Sequence, residues 1–391
     1  MLTALLAAAE GVETPALQPV AGVTLLEHQV RRLVAAGVER LVLLTGEWPV
    51  TLAAPLGRLR ADHIAIDAVR TLADAADRLA ASPRVLLVAE GCLPDRALLD
   101  RLAAAAVPTI ATLPDAPEHQ DWERIDAQAR WAGVALIDGS RVIEAASMLG
   151  EWDPVSTLLR RAVQEGAGRL MLDAPPLLAM DAGSAAAAEA GIIRGTREAH
   201  EGWAARWIEA PLVEWSLPLL FPRSIEPLWP GALAALLALG GGLAAVAGLR
   251  WGMLVPLLAA ALLRLIGRRL SAVQARALPH AQIIARAGDA GLVLASLGLG
   301  LGLMRDTGQW GWLLLGALLP LEMMLTALQR RANAWGGGVG EPAWLARGDE
   351  LPWTLLPVAV VGGWKAGLAG LCGYAAATLA FQLRRGWRLM R

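Results

Sequence analysis

Arg268, Arg269 and Arg276 close the stretch GMLVPLLAAALLRLIGRRLSAVQAR, residues 252–276. Its apolar part is long enough to be most of a membrane helix. Guanidinium groups there can hold phosphate, and each cation near an anionic headgroup layer is worth about 1 kcal/mol. The same three arginines suit a second role, fixing which loop stays in the cytoplasm. Asp289 lies in the apolar segment ARAGDAGLVLASLG, three residues after Arg286. An intramembrane acid is a functional candidate, or one half of an Asp–Arg pair that specifies packing. Glu322, in GALLPLEMMLTAL, has the same two readings, with Arg264 or Arg286 as the expected partner. Asp181, in LAMDAGSAAAAEAGI, stands where a helix dipole favours an acid.

The elements that must position these residues use two grammars. Residues 1–195 alternate short apolar runs with amphipathic stretches. LTALLAAA, RLVLLTG, RVLLVAEG, WAGVALID and GRLMLDAP read as strands, and EHQVRRLVAAGV and ALLDRLAAA as helices. Leu26, Val30, Leu33 and Val34 fall on one helical face. Strands alternating with helices predict an α/β unit with a parallel or mostly parallel sheet covered on both faces. Hydrophobic residues make up 55% of the 391, too apolar for an ordinary soluble chain of this length. A net charge of -1 gives no argument for a nucleic-acid partner. Cys92 and Cys372 lie far apart and form no metal pattern; they are expected to be reduced, structural thiols. The N-terminus has no basic region ahead of a long apolar core, so the α/β unit is expected in the cytoplasm.

From residue 229 the apolar runs reach membrane length. Six spans are predicted, near 230–249, 251–267, 282–304, 309–328, 352–364 and 366–383. Alternate loops are basic. Arg268, Arg269 and Arg276 fall on one side with Arg330, Arg331, Arg347 and the arginines of the tail; Arg250, Arg305 and Lys365 fall on the other. The pattern predicts an integral inner-membrane domain, residues 229–391, with both termini cytoplasmic. Between the halves, residues 196–228 read as an amphipathic interfacial helix and linker. Trp203, Trp207, Ile208 and Leu212 form its apolar face, and Arg197, Glu198, Glu201 and Arg206 much of the rest.

Two resemblances follow from quoted motifs. EGWAARWIEAPLVEW, SIEPLWP and Ala275-Arg276 resemble the juxtamembrane helix, turn and A-R of CDP-alcohol phosphatidyltransferases. The signature of that family, D-x-x-D-G-x-x-A-R-x8-G-x3-D-x3-D, supplies four metal-holding aspartates. In its register Arg268 and Ser271 stand at the first two, Asp289 at the third and Val293 at the fourth, while Ala272 and Ala285 replace the glycines. The first half resembles the sugar-phosphate nucleotidyltransferases, a Rossmann-like fold. Pro15, Leu17, Pro19, Val20, Gly22, Leu25-Leu26 and Ala36-Gly37-Val38 supply the frame. The phosphate-cradling loop is shortened to AAEGVE, and Ala16 replaces the motif lysine. The resemblance implies metal positions at Gly91 or Cys92, with Glu90 one residue away, and at Asp181.

The order of the two halves resembles bifunctional enzymes that make CDP-inositol and transfer phosphoinositol. With both motif sets eroded, the chain is expected to be catalytically impaired and to serve as partner, scaffold or regulator in phospholipid headgroup synthesis. The alternative is an active phosphotransferase with a rearranged site, which would need magnesium or manganese. Asp289 and Arg276 are the remnant catalytic candidates. Asp181 and Asp289 are the remnant metal candidates, and Arg268, Arg269 and Arg276 the phosphate-binding ones. Expected partners are the bilayer with its anionic headgroups and an active phosphotransferase or a second copy of the chain.

Overall fold

The structure is a computed structural model. It describes residues 2–8, 14–46, 50–148, 153–196, 202–221, 225–276, 280–335 and 341–389. The AAEGVE loop, apart from Ala8, and Arg197, Glu198 and Glu201 lie outside these. The chain divides into two compact units: residues 1–195 with 273–276, and residues 196–272 with 277–391.

The first unit is built on a seven-stranded sheet. Its strands are β1 (Thr3–Ala8), β2 (Arg40–Thr45), β3 (Ile66–Val69), β4 (Val85–Val88), β5 (Thr109–Pro114), β6 (Ala129–Ile137) and β7 (Gly168–Met171). The spatial order is β7-β5-β6-β4-β1-β2-β3. All neighbours are parallel except β6, which runs antiparallel to both β4 and β5. The sheet is therefore mostly parallel, as the alternating grammar predicts. Side chains alternate across it. Leu5, Val42 and Leu87 enter one core, and Leu6, Leu43 and Val88 the other.

Helix α1 (Leu25–Ala35) crosses from β1 to β2 and starts with a reciprocal cap between Thr24 and Glu27. Leu26, Val30 and Leu33 are buried as expected, but Val34 is 38% exposed. Val34 sits at the edge of the apolar stripe, one residue on from Leu33. Strands β3 and β5 escape the sequence reading. IDAV carries an acid, and TIATLP carries two threonines and ends on proline. The later helices are α2 (Ala53–Ala61), α3 (Leu72–Leu79), α4 (Arg96–Ala104), α5 (Ser140–Met148), α6 (Pro154–Gln164) and α7 (Ala182–Gly195).

The second unit is helical. A π-turn at Ala205–Glu209 leads into α8 (Ala210–Leu220). Then come α9 (Leu228–Val246), α10 (Arg250–Val273), α11 (Ala281–Thr307), α12 (Gly311–Trp335) and α13 (Leu351–Leu389). Four segments among the described residues are long and apolar enough to cross a membrane: Leu228–Val246, Ala281–Thr307, Gly311–Asn333 and Gly348–Arg388. Six spans are thus not found as six helices. The expected fifth and sixth runs form one long element, broken at Gly363, whose φ of 76° interrupts the helix. The expected second run lies in α10, which is not among the four. Arg250, Arg264, Arg268 and Arg269 confine its uncharged stretch to residues 251–263.

The juxtamembrane helix also differs from its expected face. Ala205, Glu209, Val213 and Leu217 are buried at four-residue spacing, whereas Trp207, Leu212, Trp215 and Leu219 are exposed. The extra residue of the π-turn rotates the helix, so Trp203 and Ile208 leave the exposed stripe. Close backbone approaches hold α9 against α11. A Cβ on Gly291 would come 2.3 Å from the Ala238 carbonyl carbon, and one on Gly298 2.5 Å from the Val246 nitrogen.

Candidate functional site

In the helical unit three short segments enclose one polar pocket. Leu265, Arg268, Arg269 and Ala272 recur at i, i+3, i+4 and i+7 and so share one face of α10. Gly202, Ala205 and Glu209 share a face of the juxtamembrane helix. Arg347, Asp349 and Glu350 come from the turn before α13. The enclosed space is about 30 Å³, room for one or two water-sized groups.

Arg268 and Asp349, which line the pocket, belong to a set of arginine–carboxylate pairs that also takes in Arg264 and Asp289. Arg264 Nη1 lies 2.6 Å from Asp349 Oδ1 and 3.1 Å from Asp289 Oδ1, and Arg268 Nη2 lies 3.2 Å from Asp349 Oδ2. Arg269 donates to the Thr196 carbonyl at 2.6 Å and is almost wholly buried. A Cβ on Gly288 would meet Arg264 Nη2 at 2.1 Å, so a side-chain-free residue there gives Arg264 its path to α11.

Two buried acids also line the pocket. Glu209 accepts from Trp353 Nε1 at 2.6 Å, and Glu350 accepts from the Ala204 backbone at 3.2 Å. Their exposures are 1% and 2%. Glu350 Oε2 is buried without a hydrogen-bond partner. Burial pushes the Glu209 carboxyl up to about 7; the Trp353 bond and the Arg268 charge work against this, and the charges of Asp349 and Glu350 work with it.

Arg268 and Arg269 are thus brought together, but Arg276 is not with them. Its Nε lies 2.7 Å from Asp62 Oδ1 in the α/β unit, where Asp62 also meets Arg31 at 2.9 Å. Arg31 further donates to the Gln274 carbonyl at 3.3 Å. Ala275 between them has φ of 49°, which turns this segment sharply. Asp289 pairs with Arg264 across to α10, not with Arg286 on its own helix. Glu322 pairs with neither expected arginine: its Oε2 is buried without a hydrogen-bond partner.

The donor set does not fit a hard divalent ion, which takes about six oxygens. Asp349 and Asp289 are engaged by arginine, and among the described residues no three acids, histidines or cysteines are grouped so that they could hold a metal ion. In the α/β unit Asp181 Oδ1 accepts from Ser184 N at 2.7 Å, which draws its carboxyl below the ordinary range. Glu90 Oε1 accepts from the Ala16 nitrogen at 3.3 Å, and Gln29 ties down the carbonyls of Ala89, Glu90 and Cys92. A Cβ on Gly91 would overlap the Met180 sulfur, so packing fills the space beside that position. A cavity of about 440 Å³ opens at the carboxyl ends of β1, β2 and β4, lined in part by Arg70, Glu90, Glu123, Trp131 and Asp153.

Glu209, Arg347, Asp349 and Glu350 were not among the sequence candidates. ARGDE, residues 346–350, was legible as a charged cluster at the mouth of an apolar run. Glu209 had the weaker signal of an acid inside a tryptophan-rich amphipathic stretch.

No protein-family model matches the sequence, and no curated protein matches it. Among solved structures it is similar to a Bacillus anthracis protein assigned as a glucose-1-phosphate thymidylyltransferase, crystallised with sucrose. That match has 13% identity and a TM-score of 0.40, and covers 49% of this chain and 94% of the other.

Proposed function

We propose that the chain is a non-catalytic membrane protein of phospholipid headgroup synthesis. A nucleotidyltransferase-like unit precedes a bundle of the CDP-alcohol phosphatidyltransferase type, and the whole acts as partner, scaffold or regulator of an active phosphotransferase. In this reading α9 to α12 and the two halves of α13 make six crossings, with both termini cytoplasmic.

The observation that carries the reading is the placement of Arg264 between Asp289 and Asp349. In the signature register Asp289 is the third metal ligand and Arg268 replaces the first. A guanidinium here neutralises the carboxylates that a metal would otherwise require. Transfer of a phosphoryl group to an alcohol depends on metal or equivalent charge stabilisation plus a base. The pocket arginines suit holding a phosphate better than activating an alcohol. CMP release from a panel of CDP-alcohols, with magnesium or manganese, tests this on purified protein. No release above the blank is expected; turnover abolished by Asp289→Asn would overturn the reading.

One observation favours the active alternative. Glu209, with its carboxyl near 7, lines the same pocket as Arg268 and Arg269. A buried acid so placed has the proton affinity of a general base at neutral pH. CMP release lost in Glu209→Gln but retained in Asp289→Asn would select that alternative.

A further inference from the structure

Glu322 is the central residue of the apolar segment Gly311–Asn333. Its Oε2 is buried without a hydrogen-bond partner, and none of the described ion pairs includes it. An unpaired carboxylate in an apolar interior is costly, and such a group takes up a cation. A metal ion would need several oxygen ligands, and among the described residues no acids, histidines or cysteines are grouped to hold one. A proton is the cation that fits. The titratable groups on the elements around Glu322 are engaged elsewhere. On α13, Cys372 Sγ donates to the Leu315 carbonyl at 3.4 Å and the Tyr374 hydroxyl to the Trp344 carbonyl at 2.5 Å. Asp289 on α11 pairs with Arg264 of α10, which also holds Asp349. On α12 itself Arg330 donates from Nη2 to the Ala346 carbonyl at 2.9 Å and pairs with Glu341.

Glu322 also begins a polar line. Thr326, Gln329 and Asn333 follow it at i+4, i+7 and i+11, on one face of α12. Gln329 Nε2 donates to Asn333 Oδ1 at 3.0 Å, Asn333 Nδ2 to Gln382 Oε1 at 2.9 Å, and Gln382 Nε2 to Glu341 Oε1 at 3.0 Å. Asn333 and Gln382 are buried, and Glu341 is half-buried ahead of α13. Gly386 leaves the room for this: a Cβ there would come 2.5 Å from Gln329 Nε2. Toward Glu322 the line continues by helix spacing. Side chains at i, i+3 and i, i+4 lie about 5–6 Å apart at Cβ, a gap that one water bridges.

We propose that Glu322 is a proton-binding site at mid-membrane, loaded at neutral pH, and that its proton exchanges with the solution at the Glu341 end along this line. The step is one proton gained or lost at the Glu322 carboxylate. The proposal rests on the reading of α12 as a membrane crossing and adds a function to it. A line that only specified the packing of α12 on α13 would not carry exchange.

The test treats full-length protein in phosphatidylcholine vesicles with dicyclohexylcarbodiimide, an apolar reagent that adds to a protonated carboxyl. The acid oxygen joins the carbodiimide carbon while the proton passes to nitrogen, so nothing leaves. Mass spectrometry should find the adduct on Glu322 at neutral pH, and less of it as pH rises. Infrared spectra should show a protonated-carboxyl band that is missing from Glu322→Gln. The rate at which heavy water shifts that band reads the route. Thr326→Val, which keeps the shape and loses the hydroxyl, should slow it about tenfold, equivalent to about 1.4 kcal/mol on the barrier. Thr326→Ser should exchange at the parent rate. Gln382→Leu breaks the line at a second place and should slow exchange as well. Size-exclusion profiles matching the parent establish that each variant is folded. An unmodified Glu322, or no band lost in Glu322→Gln, would overturn the site. Exchange at the parent rate in either Thr326→Val or Gln382→Leu would overturn the route. Cysteines placed at Arg305 and Arg331 and labelled from the same side would instead overturn the crossing and leave the buried proton site standing.

Discussion

Arg264 and Asp349 meet at 2.6 Å, with side-chain exposures of 21% and 17%. Breaking a partly buried pair from one side leaves the other charge short of its partner, at a cost of about 1–3 kcal/mol. Arg264→Met should therefore lower the thermal midpoint clearly. The double variant Arg264→Met with Asp349→Leu should recover most of the loss. A double variant no better than the single one would mean that the pair does not couple.

Gly288 carries a related expectation. An added Cβ would overlap Arg264 Nη2, so Gly288→Ala should shift the guanidinium, weaken its pairs with Asp289 and Asp349 and lower the thermal midpoint modestly. Gly373 is a helical glycine with nothing within 4 Å of an added Cβ. Gly373→Ala should be neutral or gain up to about 1 kcal/mol. Thermal midpoints that fall equally in both variants would contradict the assigned role of Gly288.

Glu209 should leave a pH signature. Its folded value is about 7 against an ordinary 4.5. Between those values the folded state keeps a proton that the unfolded state has lost. Stability from this group is thus greatest below pH 4.5, falls as pH rises toward 7, and is flat above. The span corresponds to about 3 kcal/mol. Glu209→Gln should remove this fall and be the more stable protein at pH 8. Parallel midpoint–pH curves for the two proteins would contradict the burial-driven shift.

The proposed six crossings predict opposite accessibility for cysteines placed at Arg305 and Arg331. Native Cys92 and Cys372 are buried and give a low background. A membrane-impermeant thiol reagent applied to intact cells should label the position 305 cysteine and spare the position 331 cysteine. Labelling of both, or the reverse, would contradict the topology.

The α/β unit was legible because apolar runs mark its central strands: LTALLAAA, RVLLVAEG and WAGVALID contain or overlap buried strands at Thr3–Ala8, Val85–Val88 and Ala129–Ile137. IDAV and TIATLP were not, since their strand character comes from neighbours in the sheet and not from their own pattern. The direction of β6 was hidden for the same reason. Arg268 and Arg269 were visible as a pair at a helix end, and the structure gives them a common pocket. Their carboxylate neighbours were hidden, because Glu209, Asp349 and Glu350 come from segments far apart in sequence. Glu322 misled: an acid in an apolar helix suggests an arginine partner, yet Arg264, one of the two expected, serves Asp289 and Asp349.

In the proposed reading, the guanidinium of Arg264 takes the place of a metal between Asp289 and Asp349. Manganese binding to the purified protein, followed by electron paramagnetic resonance, tests it directly. The manganese spectrum should stay that of the free ion in the presence of the protein. Stoichiometric binding that disappears in Asp289→Asn would contradict it.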